Sequence, residues 1–91
     1  MNMLSYRRLE RLVKGFANHR RIQILELLSN SPELSVNDIS STLKINFKTA
    51  SEHIRRATIA GLILKRNRGS SVLHKLSPLG VTILKFLRIL E

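Results

Sequence analysis

Cysteine is absent from the chain, which removes disulfides, thiolate metal sites and cysteine nucleophiles together. The two methionines are Met1 and Met3, so thiol and methionine redox sensing have little to work with. Acids are scarce. Six Asp and Glu stand against sixteen Lys and Arg, and no paired-carboxylate cleft, Ser/His/Asp set or Gly-rich phosphate loop can be assembled. The expectation is that the chain is not an enzyme. No apolar run approaches the ~20 residues of a membrane span. The first residues lack the apolar stretch and small-residue site of a signal peptide. A cytoplasmic location is expected.

What is present is charge and enough apolar surface for a core. The net charge is +10, and 43% of the 91 residues are hydrophobic, so one small folded domain over 1–91 is expected. Positive excess on this scale points first to nucleic acid. Four glycines and two prolines fall where elements should change.

Tyr6, Leu9, Leu12, Val13 and Phe16 share one face of a helix over 4–16. Arg7, Arg11 and Lys14 lie opposite, where plain solvation is the simplest meaning. Asn18 can cap a second helix, largely buried through Ile22, Ile24, Leu25, Leu27 and Leu28. Arg20 and Arg21 open it, at a position suited to phosphate contact. Ser35 and Asp38 have capping-box spacing, ahead of the narrow stripe Val36, Ile39 and Leu43. After a tight turn at Lys44-Ile45, Asn46 can cap a helix to about Ala60, with Ala50, Ile54 and Ala57 inside and Phe47 packed part-way beneath it. A left-handed backbone at Lys44 would cost about 1 kcal/mol, so that turn is strained or differently shaped. Gly61 ends this helix. The segments 62–66 and 71–76 are strands around Asn67-Arg68-Gly69-Ser70, and Ser77-Pro78 starts a last helix over 78–90.

Two short helices around a tight turn suggest a helix-turn-helix. The helix from Asn46 is small and apolar inside, while Lys48, Thr49, Ser51, Glu52, Arg55 and Arg56 make its outside polar. Such side chains read base edges in the major groove and meet its flanking phosphates. The hairpin adds Lys65, Arg66 and Arg68 at its tip, cations that repel one another unless an anion lies opposite.

The stretch Ala17 to Pro78 resembles the winged helix-turn-helix of ArsR-type transcriptional repressors. Ala17-Asn18-His19-Arg20-Arg21-Ile22-Gln23-Ile24-Leu25, Glu33-Leu34-Ser35-Val36-Asn37-Asp38-Ile39, Thr49-Ala50-Ser51-Glu52-His53-Ile54, Ala60-Gly61-Leu62-Ile63 and Leu76-Ser77-Pro78 follow its motifs in order. The resemblance implies a mostly α fold with a small β-hairpin: four helices, a wing over 62–76 and a C-terminal helix. It places the helix from Asn46 in the major groove and the wing on the backbone or minor groove of double-stranded DNA. It favours a DNA contact for His53, whose other reading is a half-buried structural histidine. The family's metal ligands are missing, since Ser35, Val36 and Asn37 stand where cysteines occur and the last helix offers only Glu91. No metal or cofactor is therefore expected, and the effector is unknown.

Leu79, Ile83, Leu84, Phe86, Leu87 and Leu90 spread over about 160° of the last helix, wider than the ~100° a helix lying on a small domain needs. With Leu4, Leu9, Leu12 and Phe16 of the first helix they are expected to form a homodimer seam, the alternative being a larger core within the protomer. The function implied is a sequence-specific homodimeric repressor reading an inverted repeat. Non-specific architectural binding and a protein-interaction module are the alternatives.

Overall fold

The computed structural model describes residues 3–91, with side chains from Ser5 onward. Its elements are α1 (Met3–Phe16), α2 (His19–Asn30), α3 (Val36–Leu43), α4 (Phe47–Ile59), β1 (Ile63–Arg68), β2 (Ser71–Leu76) and α5 (Pro78–Ile89). This is the winged helix-turn-helix order. The helix starts lie where the caps predict them. Asn18 accepts the N–H groups of Arg20 and Arg21 at 2.9 and 3.2 Å, and Ser35 and Asp38 exchange reciprocal bonds of 3.1 Å. Each such cap is worth about 1 kcal/mol. Ser77 accepts the Gly80 N–H at 2.9 Å while its hydroxyl donates to the Gly61 carbonyl, so the cap of α5 also holds the end of α4.

The core gathers around α2. Its Ile24, Leu25 and Leu28 pack with Ile39 of α3, Ile54 and Ala57 of α4, Leu62, Ile63 of β1 and Leu84 of α5. The narrow stripes of α3 and α4 follow from this: each helix touches the core along one line and leaves its other faces to solvent.

The turn between α3 and α4 takes the strained form. Lys44 sits at φ 55°, ψ 46°, and Ser40 clasps the turn by donating to the Ile45 carbonyl at 2.7 Å. Lys44→Gly is expected to raise stability by about 0.5–1 kcal/mol, since glycine reaches this conformation without a Cβ clash but loses more chain entropy. The urea midpoint reads this directly; a lower midpoint would mean the lysine side chain contributes more than its backbone costs.

Three expectations need correction. The hairpin ladder runs further than predicted, pairing Arg68 with Ser71, because Gly69 at φ 60° permits a two-residue turn. At the other end Leu62 lies outside the strand and is fully buried, its N–H donating to the Ala57 carbonyl and its carbonyl accepting from the Ser77 N–H. Phe47 is exposed rather than tucked under α4; at the first helical residue its side chain projects back past the helix end. The dimer set also divides. Phe16 and Leu84 are buried in the protomer's own core, and Leu12, Ile83 and Leu87 pack against it, because α1 and α5 both lie on α2. Leu9, Leu79, Phe86 and Leu90 are exposed, as are Tyr6, Val13, Val81 and Ile89. The Leu4 side chain lies outside the described residues.

A contact with no signal in the sequence ties the wing down. Leu34 and His74 form an isolated antiparallel bridge, with backbone bonds of 3.1 and 2.8 Å. The buried His74 ring adds a donation from Nδ1 to the Leu34 carbonyl at 2.9 Å. Among the described residues, no helix is long and apolar enough to cross a membrane.

Candidate nucleic-acid interface

α4 turns Ala50, Ile54 and Ala57 to the core and leaves Lys48, Thr49, Arg55 and Arg56 exposed, with Ser51 and Glu52 half-buried. Asn46 begins the helix by accepting the N–H groups of Lys48 and Thr49 at 2.8 and 3.3 Å. Its carbonyl oxygen is therefore committed to the cap, and only its amide nitrogen is left to meet a ligand. A helix N-terminus with polar neighbours suits phosphate.

Glu52 organises the middle of this surface. Arg55 grips it with both forks, at 2.7 and 3.0 Å, and Arg56 Nε reaches it at 3.0 Å. These hydrogen bonds, Arg55 first, hold the Glu52 carboxyl down to about 2. It is thus a full anion at neutral pH, holding two of the helix's three cations. Its contribution to stability is present above the ordinary glutamate value and is lost as pH falls toward that lowered value. To contact a duplex, the same two arginines would have to leave Glu52 for a base edge or a phosphate. Glu52→Gln is therefore expected to strengthen binding to any duplex, by up to about tenfold near 0.15 M salt. Fluorescence anisotropy on a selected site and a random duplex would show it. Weakening confined to the selected site would instead put Glu52 on a cytosine amino group.

His53 lies to one side of this face. It is half-buried, its Nδ1 is out of solvent without a hydrogen-bond partner, and burial, followed by the charges of Arg21 and Arg56, lowers its pKa. These surroundings disfavour the charged ring and fit the half-buried structural histidine that stood as the alternative to a DNA contact.

The wing differs from the sequence reading in where its cations stand. Lys65 and Arg66 lie mid-strand opposite His74 and Leu73, and only Arg68 adjoins the turn. Arg66 is ion-paired to Glu33, with its second nitrogen donating at 2.8 Å. That pairing lowers the Glu33 pKa and raises that of Arg66. Glu33 itself takes a left-handed backbone, φ 66°, which no local pattern announced. Of the candidate contact residues, Lys48, Lys65 and Arg68 have no carboxylate within ion-pair distance among the described residues, so they can meet an anion without first leaving an acid.

The protein thus carries a helix-turn-helix with a capped, cationic second helix and a basic wing, and known proteins share this arrangement. A family profile described as "Bacterial regulatory protein, arsR family" matches residues 18–65, more than half of the chain. The chain belongs to the ArsR family. This ArsR-family chain is 38% identical over 66 residues to the transcriptional activator HlyU of Vibrio cholerae, a match spanning 72% of the chain and 60% of that relative. The solved structure of V. cholerae HlyU superposes with a TM-score of 0.82 at 33% identity, covering 99% of this chain and 97% of that one. A homodimeric winged helix-turn-helix DNA-binding domain from Mycobacterium bovis, described as a possible ArsR-family regulator, gives 0.86 at 26% identity, covering 96% and 81%. No group of three or more metal-ligating side chains is gathered among the described residues of this ArsR-family chain.

Proposed function

We propose that the chain is a homodimeric transcriptional regulator that reads an inverted repeat in double-stranded DNA. The exposed polar face of α4, standing clear of a core that grips its other side, supports the reading most directly. α4 lies in the major groove with Lys48, Thr49, Ser51 and Arg55 toward base edges. Arg56, Lys65 and Arg68 meet phosphates, Arg66 joins them on leaving Glu33, and the Asn46 amide stands at the helix start. The exposed parts of α1 and α5 bring two such helices one helical turn apart, about 34 Å. The M. bovis neighbour, a homodimer by its description, supports that assembly.

Two variants separate reading from holding. Lys48→Ala is expected to cost about 1–3 kcal/mol at the preferred site and to relax sequence preference there. Arg68→Ala is expected to weaken all duplexes alike and to lower the salt slope by about 1. Equal binding by Arg68→Ala and wild type near 0.15 M salt would remove the wing from the interface.

Selection of bound duplexes from a random pool near 0.15 M salt tests the whole reading. An enriched inverted repeat bound by two chains is expected. Salt-sensitive binding without enrichment would make the protein architectural, and no binding would overturn the function. A dimer seated on a promoter excludes polymerase, which is the repressor reading. Higher reporter output in the presence of the protein would reverse it toward the activity named for the V. cholerae relative.

A further inference from the structure

Between α1, α2 and α4 lies a cavity of about 430 Å³, within the ~300–1,000 Å³ usual for small-molecule sites. Arg11, Lys14, Arg21, Arg55 and Arg56 line it, and no acid does. Its apolar wall is Gly15, Ile59 and Ala60, closed where α1 meets α4: a Cβ on Gly15 would overlap that of Ala60. Two acids touch these cations from outside, Glu10 on Lys14 and Glu52 on both arginines of α4. They leave an excess of positive charge around the cavity. A second observation points the same way. Arg21, which lines the cavity, has its Nε buried without a hydrogen-bond partner and makes no ion pair among the described residues, so no acid of the protein neutralises its guanidinium.

We propose that this cavity binds a small phosphate-bearing anion, and that its occupation competes with duplex DNA. Guanidinium forks match phosphate oxygens in pairs, and the volume beside Ile59 and Ala60 accommodates an organic body. The competition rests on the DNA-binding reading, because Arg55 and Arg56 belong to both surfaces; the anion site does not.

The test is titration of the full chain with inorganic pyrophosphate at fixed ionic strength, followed by NMR of backbone amides. Saturating shifts at Gly15, Arg21 and Ala60 are expected, with a dissociation constant below about 1 mM. The double variant Arg11→Gln, Lys14→Gln should bind the probe at least about tenfold more weakly. Its two sites are exposed positions on α1 outside the core, so the fold should be untouched. Without the probe, its affinity for a duplex should equal that of wild type. With the probe, DNA should be displaced from wild type and not from the variant. Non-saturating shifts spread over Lys65 and Arg68 would reduce the site to diffuse screening and overturn it. A variant that loses duplex affinity, with a salt slope lower by about 2, would give the cavity to the DNA backbone and overturn the free-anion site. Saturable binding without displacement would overturn the competition alone. Saturable binding by a protein that holds no duplex would leave the anion site standing and sink the DNA reading.

Discussion

Phe86→Asp is expected to elute as a monomer and to lose at least about a hundredfold in affinity for a duplex with two half-sites. Phe86 is 48% exposed on α5, beside Ile89 at 78% and Leu90 at 65%. Apolar surface of this kind on so small a chain marks an interaction face. A carboxylate placed in such a seam must be desolvated without a partner, at a cost of several kcal/mol. Affinity for a single half-site should change little, because α4 lies on another part of the fold. That contrast guards against simple misfolding. Size-exclusion chromatography with light scattering reads the assembly, and anisotropy on one-site and two-site duplexes reads the consequence. A variant that remains dimeric would move the seam away from α5.

Gly80→Ala is expected to lower stability by about 1–3 kcal/mol. Helix propensity alone argues for the opposite sign, since alanine is favoured over glycine by about 1 kcal/mol within a helix. The surroundings reverse it. A Cβ at residue 80 would overlap the backbone carbonyl oxygen of Leu62, which is itself held by the Ser77 N–H at 3.0 Å. Leu62 is fully buried, so neither partner can yield without moving α5 away from the end of α4. For a domain of this size each kcal/mol shifts the melting temperature by roughly 4–8 °C. A thermal melt therefore decides the matter, and an unchanged or higher midpoint would mean that α5 does not pack this closely in solution.

Much of the fold is legible in the residues because its decisive signals are local. Asn18, Ser35 with Asp38, Asn46 and Ser77 each bond to N–H groups two or three residues on, so capping chemistry places the helix starts without the rest of the chain. The stripe Ala50, Ile54, Ala57 has a single period, and all three residues are buried as it predicts. The outward position of Lys48 and Arg55 follows from that same period.

Partnerships between distant segments are not legible in this way. Glu33 meets Arg66 across 33 positions, and Leu34 meets His74 across 40; no spacing rule connects them. Whether the apolar side of α1 or α5 is core or free surface depends on how much of each helix α2 can cover. Phe16 and Leu84 went inward, while Tyr6 and Phe86 stayed outside. The basic face of Arg11 and Lys14 reads as ordinary solvation until Gly15 lets α1 settle on Ala60 and sets those cations beside Arg21, Arg55 and Arg56. Local hydrogen bonding and side-chain periodicity thus determined the elements and the outward face of α4. Tertiary packing alone decided which cations are paired, which apolar residues remain exposed and where five positive charges share one cavity, because those outcomes depend on contacts between segments far apart in the chain.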